Sequence, residues 1–199
     1  MTRFISFLLL LRSAAAFAQA PANLVRIRGN VESFDGKVLN VKGRNGQTYA
    51  VKVPDNLVVT GVNKASVADI TENKFVGTTT VGERNGSLVA LEVHIFLESM
   101  RGTGEGHRDW DLGPTSKMTN ANVAKIVKVA NDHEMTVQYK GGEKKVLVTP
   151  ETAVVAYSAA DKSELKPGAP VFINAQRDAD GSISAPRVNV GLKGQVPPM

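Results

Sequence analysis

Cysteine occurs nowhere in the chain. That excludes a disulfide framework and leaves the hydrophobic core and the strand pairing to hold the fold. Aromatic residues are scarce, at 6%, with a single tryptophan, and the formal net charge is only +5. The first twenty residues carry two arginines and no acid, so the rest of the chain has 22 basic against 19 acidic residues. So weak a field does not hold a polyanion, and the stacking aromatics with which small barrels hold single strands are missing, so nucleic acid is disfavoured as a partner. After residue 20 no apolar run approaches the ~20 residues of a transmembrane helix. Nucleophile elbows, phosphate-cradling glycine loops and two-histidine zinc helices are all lacking. Gly102-Thr-Gly104-Glu-Gly106 has neither the parallel strand nor the helix of a dinucleotide site beside it. The expectation is a protein that is not an enzyme.

What the chain does have begins with an address. Met1-Thr-Arg3 is basic, Phe4 to Leu11 is an apolar run too short to span a bilayer, and Arg12 to Ala20 ends in small residues. This is the pattern of a secretory signal peptide over residues 1–20, which places the mature protein in the periplasm or outside the cell. Cleavage after Ala18 is favoured over Ala20, because the latter would leave Pro21 at the new terminus.

The remainder reads as two copies offset by about 95 residues. Val51-Lys-Val53-Pro falls on Val146-Leu-Val148-Thr-Pro150, Ser66 with Asp69 falls on Asp161 with Glu164, and Asn85-Gly-Ser falls on Asp180-Gly-Ser. A single repetition at so long a period is duplication of a domain rather than a solenoid. Within each copy apolar and polar residues alternate, as in half-buried strands, and Asn-Gly or Asp-Gly pairs mark the hairpin turns. Ser66/Asp69 and Asp161/Glu164 have capping-box spacing, which predicts one short helical turn per copy between the third and fourth strands. The expected fold is all-β: two tandem small antiparallel OB-like barrels over residues 24–97 and 118–192, a glycine-rich linker over 98–117 and a flexible tail over 193–199.

Gly29-Asn-Val31, Leu165-Lys-Pro-Gly168-Ala-Pro-Val171 and the closing Asp180-Gly-Ser-Ile-Ser-Ala185 resemble an uncharacterised family of exported bacterial OB-fold-like domains, which often occur in tandem. The resemblance implies a fold and an address but no chemistry.

The linker concentrates the functional candidates. In Glu105-Gly-His107-Arg-Asp109-Trp-Asp111 nitrogen and oxygen donors stand at alternate positions, so an extended chain turns Glu105, His107, Asp109 and Asp111 to one side and Arg108 and Trp110 to the other. Such donors suit a divalent transition-metal ion, although alternate residues of a straight strand lie ~6.5 to 7 Å apart and the glycines must let the chain curl. Met100 and Met118 flank the stretch. Methionine, histidine and tryptophan together are similar to the set used by periplasmic OB-fold copper chaperones, which implies a copper ion. The competing reading makes Trp110 a plug between the two barrels, with Arg108 beside it as an interdomain or ligand contact. His94 and His133 read as solvated. Arg26 and Arg28 read as exposed strand residues through which the chain could adapt to an anionic ligand or an envelope surface, and an unknown envelope protein or small ligand is the expected partner.

Overall fold

The computed structural model describes residues 23–198, so the expected leader and its cleavage site lie outside the described residues. The fold is all-β. Four strands come first, β1 (Leu24–Phe34), β2 (Val38–Gly43), β3 (Thr48–Lys52) and β4 (Val58–Lys64), followed by the hairpin β5 (Phe75–Arg84) and β6 (Ser87–Ile95). A short strand β7 (Gly106–Asp109) forms in the linker. The second half repeats the pattern with β8 (Lys117–Val129), β9 (Asp132–Tyr139), β10 (Gly142–Val148), β11 (Ala153–Ala160), β12 (Pro170–Arg177), β13 (Ile183–Ser184) and β14 (Arg187–Gly191). Single 3-10 turns at Val67–Asp69 and Lys162–Glu164 follow β4 and β11, so four strands precede each turn rather than three. In the first, the Asp69 carboxylate accepts from both the backbone N–H and the hydroxyl of Ser66.

The pairings do not follow the two copies. Strands β1, β2 and β3 are closed by β12 and β13 of the second copy, through β1–β12, β3–β13 and β12–β13. Strands β8, β9 and β10 are closed by β5 and β6 of the first, through β5–β8, β6–β10 and β5–β6. Each circuit has five strands, and each takes its closing hairpin from the other copy. The expectation of one self-contained barrel per copy is therefore corrected. Sequence overlay cannot detect this, because exchanging equivalent hairpins leaves every strand with equivalent neighbours.

The cores record the exchange. One unites Ile27, Leu39, Val41 and Val51 with Val171, Ile173, Val188 and Val190; the other unites Val76, Val93 and Ile95 with Val123, Met135, Val137 and Val146. Between the circuits β4 and β11 pair antiparallel with Val62 opposite Tyr157, while β14 and β6 run parallel beside them. Val62 and Tyr157 are equivalent positions at the offset of 95, so the pseudo-twofold axis passes through this pair. No described helix is long and apolar enough to cross a membrane. After β14 the Leu192 N–H donates to the Val62 carbonyl and the Gln195 N–H to the Leu192 carbonyl, and Arg44 donates to the Pro197 carbonyl at 3.4 Å.

Candidate functional site

Where the circuits meet, a third cluster gathers Val62, Met100, Met118, Val155, Tyr157 and Phe172, with Phe96, Leu97 and Trp110 packed against it. The cluster does not fill its space. A cavity of about 210 Å³ remains, walled by Phe96, Met100, Met118, Tyr157, Phe172 and Trp110 and carrying the polar groups of His94, Asn120, Asn189, Arg108 and Arg187.

Two equivalent rows of residues face each other across it. On one circuit Asn120, Gly77, His94 and Val155 lie side by side across β8, β5, β6 and β11. On the other, Arg28, Phe172, Asn189 and Thr60 lie across β1, β12, β14 and β4. Gly77 thus stands where the second copy has Phe172, His94 where it has Asn189, and Glu92 where it has Arg187. The missing side chain at Gly77 makes the room: an added Cβ would come within 2.0 Å of His94 Nε2 and 2.8 Å of Asn120 Oδ1.

His94 is held firmly. Its Nδ1 lies 2.8 Å from Glu92 Oε1, and the two side chains are 2% and 1% exposed. Its ring stacks on Tyr157 at 5.2 Å and meets the edge of Phe96 at 4.7 Å. Thr79 donates to the same carboxylate oxygen at 3.4 Å, while Glu92 Oε2 has no partner among the described residues. Burial, then the nearby Glu92 charge, pushes the Tyr157 hydroxyl well above its ordinary value of 10.0, so it stays protonated. The expectation that His94 faces water is corrected: its strand is covered on both faces, by a barrel core on one and by the inter-barrel cluster on the other. His133 sits partly buried on β9 beside the hairpin tip.

Three residues that line the cavity each have a buried polar atom without a partner among the described residues: Asn120 Oδ1, Asn189 Oδ1 and Trp110 Nε1. Asn120 Nδ2 donates to the Thr103 carbonyl at 2.9 Å, so its oxygen is the free end. An orphaned buried acceptor costs about 1–3 kcal/mol.

The linker is a strap over the cavity. Strand β7 pairs with β8, and Gly102 and Gly104 take left-handed φ values of 83° and 55° that let the chain turn onto it. Extended geometry turns Arg108 and Trp110 to the cavity side. The end of the strap grips the other circuit: Asp111 accepts two hydrogen bonds from Arg28, at 2.7 and 3.0 Å, and Arg26 lies 3.9 Å over the Trp110 ring. Burial works to raise the Asp111 carboxyl, but the Arg28 bonds and the Arg28 and Arg26 charges outweigh it and hold the group below its ordinary value. Arg26 and Arg28 are therefore covered by the strap, at 18% and 14% side-chain exposure, and are not the open basic face that strand alternation suggests.

The six metal-ligand candidates are not brought together. Glu105 accepts from the Lys140 N–H, the His107 ring nitrogen Nδ1 pairs with Thr119 at 2.8 Å, Asp109 pairs with Lys117, and Asp111 with Arg28. Met100 and Met118 point into the central cluster, away from those carboxylates. No group of three or more histidine and acidic residues placed to hold a metal occurs among the described residues. The strap lies in a nearly straight pairing with β8, so its donors stay spread along it.

Sequence reading missed Glu92, Asn120, Tyr157, Arg187 and Asn189. A signal was present: overlaying the copies sets Gly77 against Phe172 and puts polar or charged residues at the two closing-strand positions 92/187 and 94/189. Comparison with protein-family models, with curated proteins and with solved structures found no match.

Proposed function

We propose that this chain is a non-enzymatic binding protein that takes a small molecule into the cavity between its circuits, beneath the strap. Each circuit reads as an OB-like barrel completed by the other copy's hairpin, and the expectation of an exported protein accompanies this reading. The observation that carries it is a cavity with an aromatic and thioether lining, three of whose residues hold unpartnered buried polar atoms, two amide oxygens and an indole N–H. Buried polar groups in a native fold are nearly always paired, and a ligand supplies the missing partners.

The only tryptophan of the chain lines this cavity, so its fluorescence reports occupancy directly. In a screen of small molecules, binders should change Trp110 emission saturably and raise the melting temperature. Asn189→Leu is the discriminating variant. Removing an unsatisfied acceptor while keeping similar volume should leave stability unchanged or raise it by about 1 kcal/mol, and should abolish binding. A variant that is strongly destabilised would make Asn189 a structural residue and remove the support for the reading.

The Glu92–His94 pair favours a second reading. A buried carboxylate that orients an imidazole at a cavity wall is the arrangement of a general base. Under it, Glu92→Gln lowers turnover of a bound compound without weakening its binding.

A further inference from the structure

The wall of the cavity specifies more than a ligand; it specifies a charge, a shape and a size. Arg108 and Arg187 both line it, and no aspartate or glutamate does. Neither arginine forms an ion pair among the described residues, whereas Arg26 and Arg28 outside the cavity are matched by Asp111. Arg108 lies 5.8 Å from the Trp110 ring, which Arg26 covers at 3.9 Å, so the strap packs two like charges around one indole with a single carboxylate beside them. Arg108 donates to the Gly104 carbonyl at 2.6 Å, and burial first, with the Arg26 charge second, lowers its pKa from the ordinary value.

Shape follows from the lining. Phe96, Tyr157, Phe172 and Trp110 offer ring faces and edges, and Met100 and Met118 offer polarisable thioethers that conform to a flat apolar body. Size follows from the volume. A cavity of ~150 Å³ holds a benzene ring, and the 210 Å³ here has room for one ring and a small substituent. The free Asn120 oxygen, on a side chain 5% exposed, and the free Asn189 oxygen accept but cannot donate, so the ring side of the ligand carries a hydroxyl or N–H.

Resting on the cavity reading above, we propose that the ligand is a single-ring aromatic or heteroaromatic acid, its carboxylate held by Arg187 and Arg108 and its ring donor held by Asn120. The two copies supply opposite ends of the contact. Arg187 comes from β14 of the second copy, which pairs with β12 of one circuit, and Asn120 and the neighbouring His94 come from β8 and β6 of the other. Divergence of equivalent positions after duplication, Gly77 against Phe172 and Glu92 against Arg187, turned a symmetric junction into a polarised site.

The test titrates the full chain with 4-hydroxybenzoate, benzoate, 4-hydroxybenzamide, cyclohexanecarboxylate and inorganic phosphate, following Trp110 fluorescence and calorimetric heat. The expected result is saturable binding of 4-hydroxybenzoate, at least ten-fold weaker binding of the neutral amide and of the non-aromatic acid, and none of phosphate. Arg187→Gln should remove the preference for acid over amide, and Asn120→Leu should weaken 4-hydroxybenzoate more than benzoate. Equal binding of amide and acid would overturn the charge assignment while leaving the cavity reading intact. Binding of phosphate as tight as that of the aromatic acid would overturn the aromatic assignment. If no probe, charged or neutral, perturbs Trp110 in a correctly folded chain, this proposal fails; the cavity reading falls only if the wider screen also finds no ligand.

Discussion

Gly77 lies directly beside His94 across the β5–β6 ladder, and the imidazole occupies the space that any side chain at position 77 would need. His94 cannot retreat, because Glu92, Phe96 and Tyr157 hold it from its other sides. Gly77→Ala should therefore cost ~1–3 kcal/mol, the range for overpacking a closed site, read as a fall in the denaturation midpoint with unchanged slope. A midpoint equal to that of the parent protein would mean that the junction is looser than these contacts indicate.

A second relationship, between Arg28 and Asp111, spans 83 positions of sequence and ties the strap to the first circuit. Asp111 is 38% exposed, so solvent screening limits the pair to about 1 kcal/mol of global stability. Local effects should be larger. Asp111→Asn should speed proteolysis and amide exchange across residues 102–116 several-fold, with strands β8 and β12 unaffected. The folded carboxyl titrates below the usual 3.8, so its contribution is present above that pH and is lost as acid brings the pH through the lower folded value. Protection of the strap that stays the same in Asp111→Asn would show that β7–β8 pairing alone holds it down.

Strand alternation and turn chemistry were legible in the chain. Asn85-Gly86 forms the tight turn between β5 and β6, with left-handed φ values of 54° and 81°, as that dipeptide demands. Alternation along the strap correctly set Arg108 and Trp110 apart from His107 and Asp109. Which copy closes which circuit was not legible, because strand pairing depends on the distance each connection must span and not on the local pattern. The cavity was missed for a related reason. His94 looks solvated in a strand that alternates, but the outer face of a barrel becomes interior once a second barrel and a strap cover it.

His107 separates the metal expectation from the geometry. Burial first, then the Lys144 and Lys117 charges, lower its pKa below the ordinary 6.5. In the unfolded chain it takes up a proton near 6.5, whereas the folded chain resists protonation until lower pH. The stability it contributes is therefore complete above 6.5 and is lost as the pH falls through the folded value. A nuclear magnetic resonance titration should give a midpoint below 6.5, and His107→Gln should flatten the stability slope as the pH falls below 6.5. Titration with Cu(II) or Zn(II) should show little difference between His107→Ala and the parent, because the carboxylates of the strap are engaged elsewhere. Tight binding of an ion, lost in that variant, would require the strap to rearrange and gather its donors.

Exchange of the closing hairpins makes a prediction about the single copy. A chain of residues 23–98 has β1 to β6 but lacks β12 and β13, which complete its first circuit, and its own β5 and β6 have no β8 or β10 to join. Two such chains, however, can complete each other, with β4 of one running antiparallel to β4 of the other about the axis that now passes between Val62 and Tyr157. That arrangement is a swapped dimer, and the natural chain is its covalently joined form. Joining also removes the concentration dependence, because the second half is always present at high effective concentration. The isolated copy should therefore be largely unfolded when dilute and should gain β structure with increasing concentration, with a sedimentation mass of two chains whenever it is folded. Cooperative unfolding of a folded monomer of 23–98 would sink this account, because the hairpin could then close on its own strands and the exchange would not be built into the repeat.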